Sequence, residues 1–528
     1  MSVQPTAASA ADPAAGAAVG GVTTSVATRR PPGDGGSQEV AESAPDHGPE
    51  VPPPPGDPEA VADGGPAEKL ASQVARRIES MIIERGWPVG SVLGSEPELR
   101  ERFGVSRSVL REAVRLTEHH QVTRMRRGPG GGLVVAAPDA GPALQALVVY
   151  LEYVGLSVED LIEARLLLEP IAAASAAERV GEEDVVALRA TLAAEVHHGD
   201  RPDLDAQLHI VLAQMAGNPV LELLVDVLTR LTANRVYSTG RLTPTDVDEA
   251  RERARGRHEA IVAAVIGGDA DLAAAETADH LRDAAEWLLD KRNARRESAP
   301  PTLEPAVGPT MAETVATRLL GDVVQRGWPI GAVLGSESAL LARLGVSRSV
   351  LREAVRILEY HSIARTRRGP GGGLVVTRPD VDATVGAAAL YLDYRQVGHE
   401  HLRIAREAIE LGALSTVLAR HADPAVARAL TEAIRLAEDP AGHTGPEHFH
   451  AELVRLSGNP LLALFLRILT ELWERHTAGK GGVTRSPDTV AAVRHVHTRI
   501  LEAVLAGDED LARHRLRRHL AALDEWYD

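Results

Sequence analysis

The chain has no cysteine in its 528 residues, and only 3% of them are aromatic. The first absence excludes disulfides, thiolate metal ligands and cysteine nucleophiles together, and it fits a reducing compartment. The second leaves Ala, Leu and Val to build the cores, which favours helices. No stretch approaches the roughly 18 to 20 consecutive apolar residues of a membrane span, and no basic segment leads into an apolar run at the N-terminus. Neither an anchor nor a secretion signal is read, so no membrane partner and a cytoplasmic location are expected. Basic side chains are outnumbered, 57 against 74, and the net charge of -17 taken whole argues against a nucleic-acid partner. At roughly 100 to 200 residues per domain the length predicts three to five domains.

Residues 1–65 are dominated by Ala, Pro, Gly, Ser and acids and carry no periodicity, so they are expected to be disordered. A second Pro-rich stretch, 296–309, reads as a linker. Its two sides explain it. Residues 86–135 realign on 327–376 without a gap, with 36 of 50 positions identical. Fainter matches continue at the same offset: Arg165 with Arg406, Glu169 with Glu410, and the Gly-Asn-Pro at 217–219 with that at 458–460. After a two-residue deletion His258 pairs with His497 and His280 with His519. The arrangement is a tandem copy of one two-domain unit. Charge then divides by domain. Residues 66–136 carry 12 basic and 8 acidic side chains and 310–378 carry 10 and 5, whereas 137–295 carry 15 and 28 and 379–528 carry 17 and 22. Each copy is a basic domain followed by an acidic one, with boundaries read at 66–137, 138–295, 310–378 and 379–528.

In the first basic domain apolar spacing predicts a helix over 68–84. A second is announced by Ser95 with Glu98 in capping-box position, and after Gly104-Val105 a third is capped by Ser106. Two short helices joined by a turn form a helix-turn-helix. Val122–Arg127, a glycine-rich tip at Gly128 and Leu133–Val135 read as a β-hairpin wing. The first residues of a recognition helix face base edges, and Arg presents a fork matching guanine O6 and N7. Arg107 and Arg111, four apart, share that face, while Ser106, Ser108, Arg126 and Arg127 are placed to meet phosphates. The second copy repeats the set as Ser347, Arg348, Ser349, Arg352, Arg367, Arg368 and Gly369. A solvated surface is the alternative for any single arginine, but not for the whole constellation occurring twice.

These motifs resemble the winged-helix domain of GntR-type transcription regulators: Ser95-Glu96, Leu99, Gly104 to Arg107 and Arg111 to Ala113, repeated at Ser336-Glu337, Leu340, Gly345 to Arg348 and Arg352 to Ala354. The family usually has a basic residue after the first Glu, where this chain has Pro97 and Ser338. One contact is therefore expected to be missing.

The acidic domains show helix after helix separated by Gly, Pro and Asp turns, which makes each an all-α bundle. Asp205 and His209 lie four apart on one helical face, and His258 and His280 sit on later helices. Three imidazoles and one carboxylate on facing helices suit zinc, nickel, manganese or iron, while a core histidine satisfied by a partner is the plainer reading of any one of them. The order Asp-x3-His, Asn-Pro, His, Gly-Asp, His resembles the metal-binding ligand domain of the FadR-type GntR subfamily. That resemblance implies a divalent transition metal at Asp205, His209, His258 and His280, and a small carboxylate effector held with help from Arg165, whose matching residue is Arg406. For Arg165 the alternative is a salt bridge to Glu169. The Gly-Asn-Pro turns are expected to be structural. In the second copy His450, His497 and His519 persist, but Pro446 stands at the Asp position, with Glu447 as the candidate replacement. That site is expected either to bind metal more weakly or to be a structural relic.

The function expected from the resemblance is a DNA-binding transcription regulator, by family habit a repressor, acting on double-stranded operator DNA under control of a carboxylate. The duplication suggests an intramolecular pseudo-dimer, with association of two chains as the alternative. A metal-dependent enzyme and a metal-sensing scaffold without DNA binding are the competing classes. No general base or nucleophile motif accompanies the histidines, and catalysis leaves the basic domains without a task.

Overall fold

The computed structural model describes residues 66–128, 131–197, 207–238, 244–293, 310–367, 369, 371–436, 447–478 and 487–523. The expected disordered head, the 296–309 linker, Asp205 and Arg368 lie outside them.

The first basic domain runs α1 (Pro66–Glu84), β1 (Val92–Gly94), α2 (Glu96–Phe103), α3 (Arg107–His119), β2 (Thr123–Arg126) and β3 (Gly132–Val135). Local chemistry sets these limits. The Ser95 amide donates to Glu98 Oε2 at 2.8 Å ahead of α2, and Gly104 ends that helix at φ 64°, a left-handed turn that favours glycine. Ser106 Oγ accepts from the Val109 amide at 3.3 Å and starts α3. β3 lies between β1 and β2, all antiparallel, so the wing is a three-stranded sheet. β1, only three residues long and without alternation, was not expected. Leu99, Leu110, Ala113 and Leu133 pack with Ile78 and Ile82 of α1 to form the core.

The first bundle follows as α4 (Ala140–Val154), α5 (Val158–Arg179), α6 (Glu182–His197), α7 (Gln207–Met215), α8 (Pro219–Ser238), α9 (Pro244–Ile266) and α10 (Ala270–Asn293). The second basic domain repeats the first: α11 (Met311–Gln325), β4 (Val333–Gly335), α12 (Glu337–Leu344), α13 (Arg348–Tyr360), β5 (Ala364–Arg367) and β6 (Gly373–Val376). Its bundle comprises α14 (Val381–Tyr394), α15 (His399–Leu418), α16 (Pro424–Leu436), α17 (Glu447–Ser457), α18 (Pro460–Ala478), α19 (Pro487–Leu505) and α20 (Glu509–Leu523). The expected mainly α architecture, two winged helix-turn-helix domains each with an all-α bundle, is the one observed. No helix among the described residues is long and apolar enough to cross a membrane.

The two copies share one core. Leu147, Leu151, Leu224 and Leu228 of the first bundle belong to the same buried cluster as Leu392, Phe465, Ile468 and Leu472 of the second. At about 1.5–3 kcal/mol per fully buried Leu or Phe, such a seam is held by hydrophobic burial. The first helix of each bundle also crosses over to the other copy's basic domain. Leu390 and Tyr394 of α14 pack into the first winged domain, and Val149 and Tyr153 of α4 pack into the second. Two edge-to-face aromatic pairs mark the crossings, Trp87 with Tyr394 at 5.3 Å and Tyr153 with Trp328 at 5.4 Å. The Gly-Asn-Pro turns have a related task. Asn218 Nδ2 donates to the His401 carbonyl at 3.1 Å, and Asn459 Nδ2 donates to the Asp160 carbonyl at 2.9 Å, the same bond made in both directions.

Candidate functional site

Each recognition helix presents its first turn to solvent. Arg107 and Arg111 are exposed on α3, as are Arg348 and Arg352 on α13. Serines flank the helix starts, Ser106 Oγ 3.0 Å from Ser108 Oγ and Ser347 Oγ 2.9 Å from Ser349 Oγ. Backbone N–H groups there are open to an anion, as helix N-termini generally are. The heads differ in the ion pair made by the recognition helix. Glu96 holds Arg107 at 2.5 Å, whereas its counterpart Glu337 reaches Arg352 at 3.5 Å. A different recognition arginine is therefore tethered in each head.

On the wings, Arg126 and Arg127 are exposed beside Gly128, which has a φ of 101°, and Arg367 donates Nη2 to the Gly371 carbonyl at 2.9 Å beside Gly369. The glycines following the tip are required. A Cβ on Gly132 would stand 2.6 Å from the Gly94 carbonyl oxygen, and one on Gly131 would stand 2.3 Å from that of Arg126.

Inside each bundle three buried histidines converge. His209 from α7, His258 from α9 and His280 from α10 form one group, and His450 from α17, His497 from α19 and His519 from α20 form the other. In the second group the three Nε2 atoms make a triangle with sides of 3.0, 3.1 and 3.2 Å. Two nitrogens bound at about 2.0–2.1 Å to a common ion must lie roughly this far apart. In the first group His258 Nε2 is buried with no hydrogen-bond partner among the described residues. A buried, unpaired lone pair is costly in a structural core and normal at a metal site.

Buried carboxylates orient the rings. His209 Nδ1 donates to Glu169 Oε2 at 2.7 Å, and His450 Nδ1 donates to Glu410 Oε2 at 2.5 Å, leaving both Nε2 lone pairs on the centre. His258 Nδ1 likewise reaches Glu195 at 3.0 Å, whereas the matching position in the second copy is Leu436. Burial, then the neighbouring histidines, pushes His280 well below its ordinary pKa and His519 down to about 3. His209 is lowered by burial as well, against the pull of Glu169. Neutral imidazoles are what a metal ion requires. Both groups therefore fit a divalent transition metal.

The orienting glutamates are the residues that spacing alone missed as parts of the site. Glu169 follows Leu166-Leu167-Leu168 in the sequence, and an acid ending an apolar run was the available signal. Each also binds the arginine one turn before it. Arg165 donates Nε to Glu169 Oε1 at 2.5 Å and Nη2 to Oε2 at 3.2 Å, and Arg406 donates Nε to Glu410 Oε1 at 2.6 Å. The salt-bridge alternative for Arg165 is thus realised, and its guanidinium lies beside the histidine centre. Glu447 does not join the second histidine group, because its carboxylate turns to Arg406, with Oε2 2.6 Å from Nη2.

Comparison with known proteins agrees. Residues 70–132 and 311–374 match the model described as bacterial regulatory proteins of the gntR family, and residues 160–283 and 401–522 match that of the FCD domain. The Uxu operon transcriptional regulator of Escherichia coli is 28% identical over 240 residues, 43% of this chain and 90% of its own. The HTH-type transcriptional regulator YcbG of Bacillus subtilis is 32% identical over 165 residues, 30% of this chain and 67% of its own. A solved structure, Streptococcus agalactiae GntR, is 25% identical and covers 41% of this chain and 99% of its own, with a TM-score of 0.31. The protein is not an enzyme but a DNA-binding transcription regulator, and the chain belongs to the GntR family, with the family's winged helix and FCD effector domain each present twice.

Proposed function

We propose that one chain does the work of a regulator dimer inside the cell: its two winged helices read the two half-sites of one double-stranded operator, and a small carboxylate in the first bundle controls their affinity. The crossed packing carries this reading. Each bundle's first helix is built into the other copy's winged domain, through Tyr394 on Trp87 and Tyr153 on Trp328. A shift in one bundle is thereby coupled to the opposite head, as a two-state linkage requires. The heads differ at their tethered arginines, so the operator is an imperfect palindrome. Asp205, His209, His258 and His280 hold zinc, nickel, manganese or iron in the first bundle, and Arg165 anchors the effector's carboxylate beside it. When bound, the metal supplies a Lewis-acidic position for a ligand oxygen. The domains extend over 66–137, 138–295, 310–378 and 379–528, and the regulator represses until the effector binds.

The test is fluorescence anisotropy on labelled duplexes from upstream of the gene, run across salt concentrations. Tight, sequence-dependent binding with affinity falling steeply as salt rises is expected. Equal affinity for scrambled duplexes would overturn the reading.

A further inference from the structure

The bundles differ at the buried arginine beside each histidine centre. Beyond its glutamate, Arg165 gives Nη1 to Thr232 Oγ1 at 3.3 Å. Arg406 instead gives Nη2 to Glu447 Oε2 at 2.6 Å and Nη1 to Oε1 at 3.5 Å, and its Cζ lies 5.9 Å over the Trp473 ring. Both differences are written in the repeat: Trp473 stands where the first copy has Thr232, and Glu447 where it has Ala206. A guanidinium has five N–H donors in a fixed fork, and two carboxylates with an aromatic ring over one face occupy most of what it can offer. Glu447 is moreover part of the chain. A free carboxylate competing for Arg406 would have to displace a tethered one, whose effective concentration is in the millimolar range or above.

We propose that the second bundle is self-liganded: Glu447 gives Arg406 the carboxylate that a small molecule gives Arg165, so each chain takes one carboxylate effector, in the first bundle. This rests on the reading of Arg165 as the effector anchor. The second bundle is then fixed in a ligand-bound arrangement, and regulation runs from the first bundle through α4 into the second head. The response to effector is non-cooperative within a chain.

Carbon-13 acetate is the probe, because it is the fragment that Glu447→Ala deletes beyond Cβ. Sites per full-length chain are counted by NMR titration. One site is expected for the wild type, two for E447A, one for E447Q, whose amide fills the same space, and one for E447A combined with Arg406→Ala. Two sites in the wild type, or one in a folded E447A, would overturn the self-liganded bundle. Should E447A lose its fold, the wild-type count still decides. Arg165→Ala is expected to remove the wild-type site. If it leaves that site intact while E447A gains one, the reading of Arg165 fails and the role of Glu447 stands.

Discussion

Replacing Glu169 by Gln removes one charge at the point where the buried arginine, the histidine centre and α5 meet. Burial alone would raise the Glu169 carboxyl. The charge of Arg165, followed by His209, overrides it and holds the group at about 2 instead of 4.5. A difference of that size corresponds to about 3 kcal/mol of stability above pH 4.5. This is an upper figure, because His209 is neutral at pH 7 and leaves Arg165 and the Nδ1 hydrogen bond to act there. It agrees with the roughly 3–5 kcal/mol by which breaking a buried ion pair destabilises a protein. Since the folded value lies below the unfolded one, the contribution is complete above pH 4.5 and disappears as the pH falls towards 2. The metal responds separately. Loss of an orienting carboxylate typically weakens a site 10- to 100-fold, about 1.4–2.7 kcal/mol. Urea denaturation of the metal-free E169Q protein should therefore show a deficit of up to about 3 kcal/mol at pH 7 that narrows in acid. Competition with a chromophoric chelator should show the first centre weakened and the second unchanged. Equal weakening of both centres, or an unaltered first centre, would refute the role assigned to Glu169.

Three further experiments test the heads and the seam. Arg111→Ala and Arg352→Ala should each weaken specific DNA binding by about 1–3 kcal/mol and together abolish it, as anisotropy against operator and scrambled duplexes will show; retained specificity in the double variant would remove α3 and α13 from base recognition. Asn218→Ala and Asn459→Ala each strip a part-buried cross-copy hydrogen bond and should cost about 1–3 kcal/mol in thermal or urea unfolding; no loss in either would mean that the turns do not join the copies. A double-mutant cycle on Trp87 and Tyr394 should give a coupling of about 0.5–1.5 kcal/mol, and strict additivity would contradict the crossed packing.

Much of this architecture is legible in the chain because it is written locally. Ser95, Ser106 and Ser336 cap the helices they precede, and Gly104 and Gly345 end the short helices at positive φ. The three histidines of each centre could be placed because they recur at matched spacing in both copies. What was not legible depends on tertiary context. Tyr153 and Tyr394 read as ordinary bundle residues, and nothing near them in sequence says that each covers the other copy's winged domain. Glu169 could be paired with Arg165 at one helical turn, but not with His209 forty residues on. Glu447 has the right spacing to face the second centre, and the competing guanidinium of Arg406 draws it away. The acidic average was misleading for a related reason: the two winged domains are net positive, and the excess of acidic side chains lies elsewhere.

The central claim is that one chain is a complete two-headed DNA reader. Sedimentation of the protein with a duplex that carries a single operator, at increasing protein concentration, measures it directly. A saturated complex of one chain per duplex, with both winged helices engaged, is predicted, and a saturated complex of two chains per duplex would contradict it.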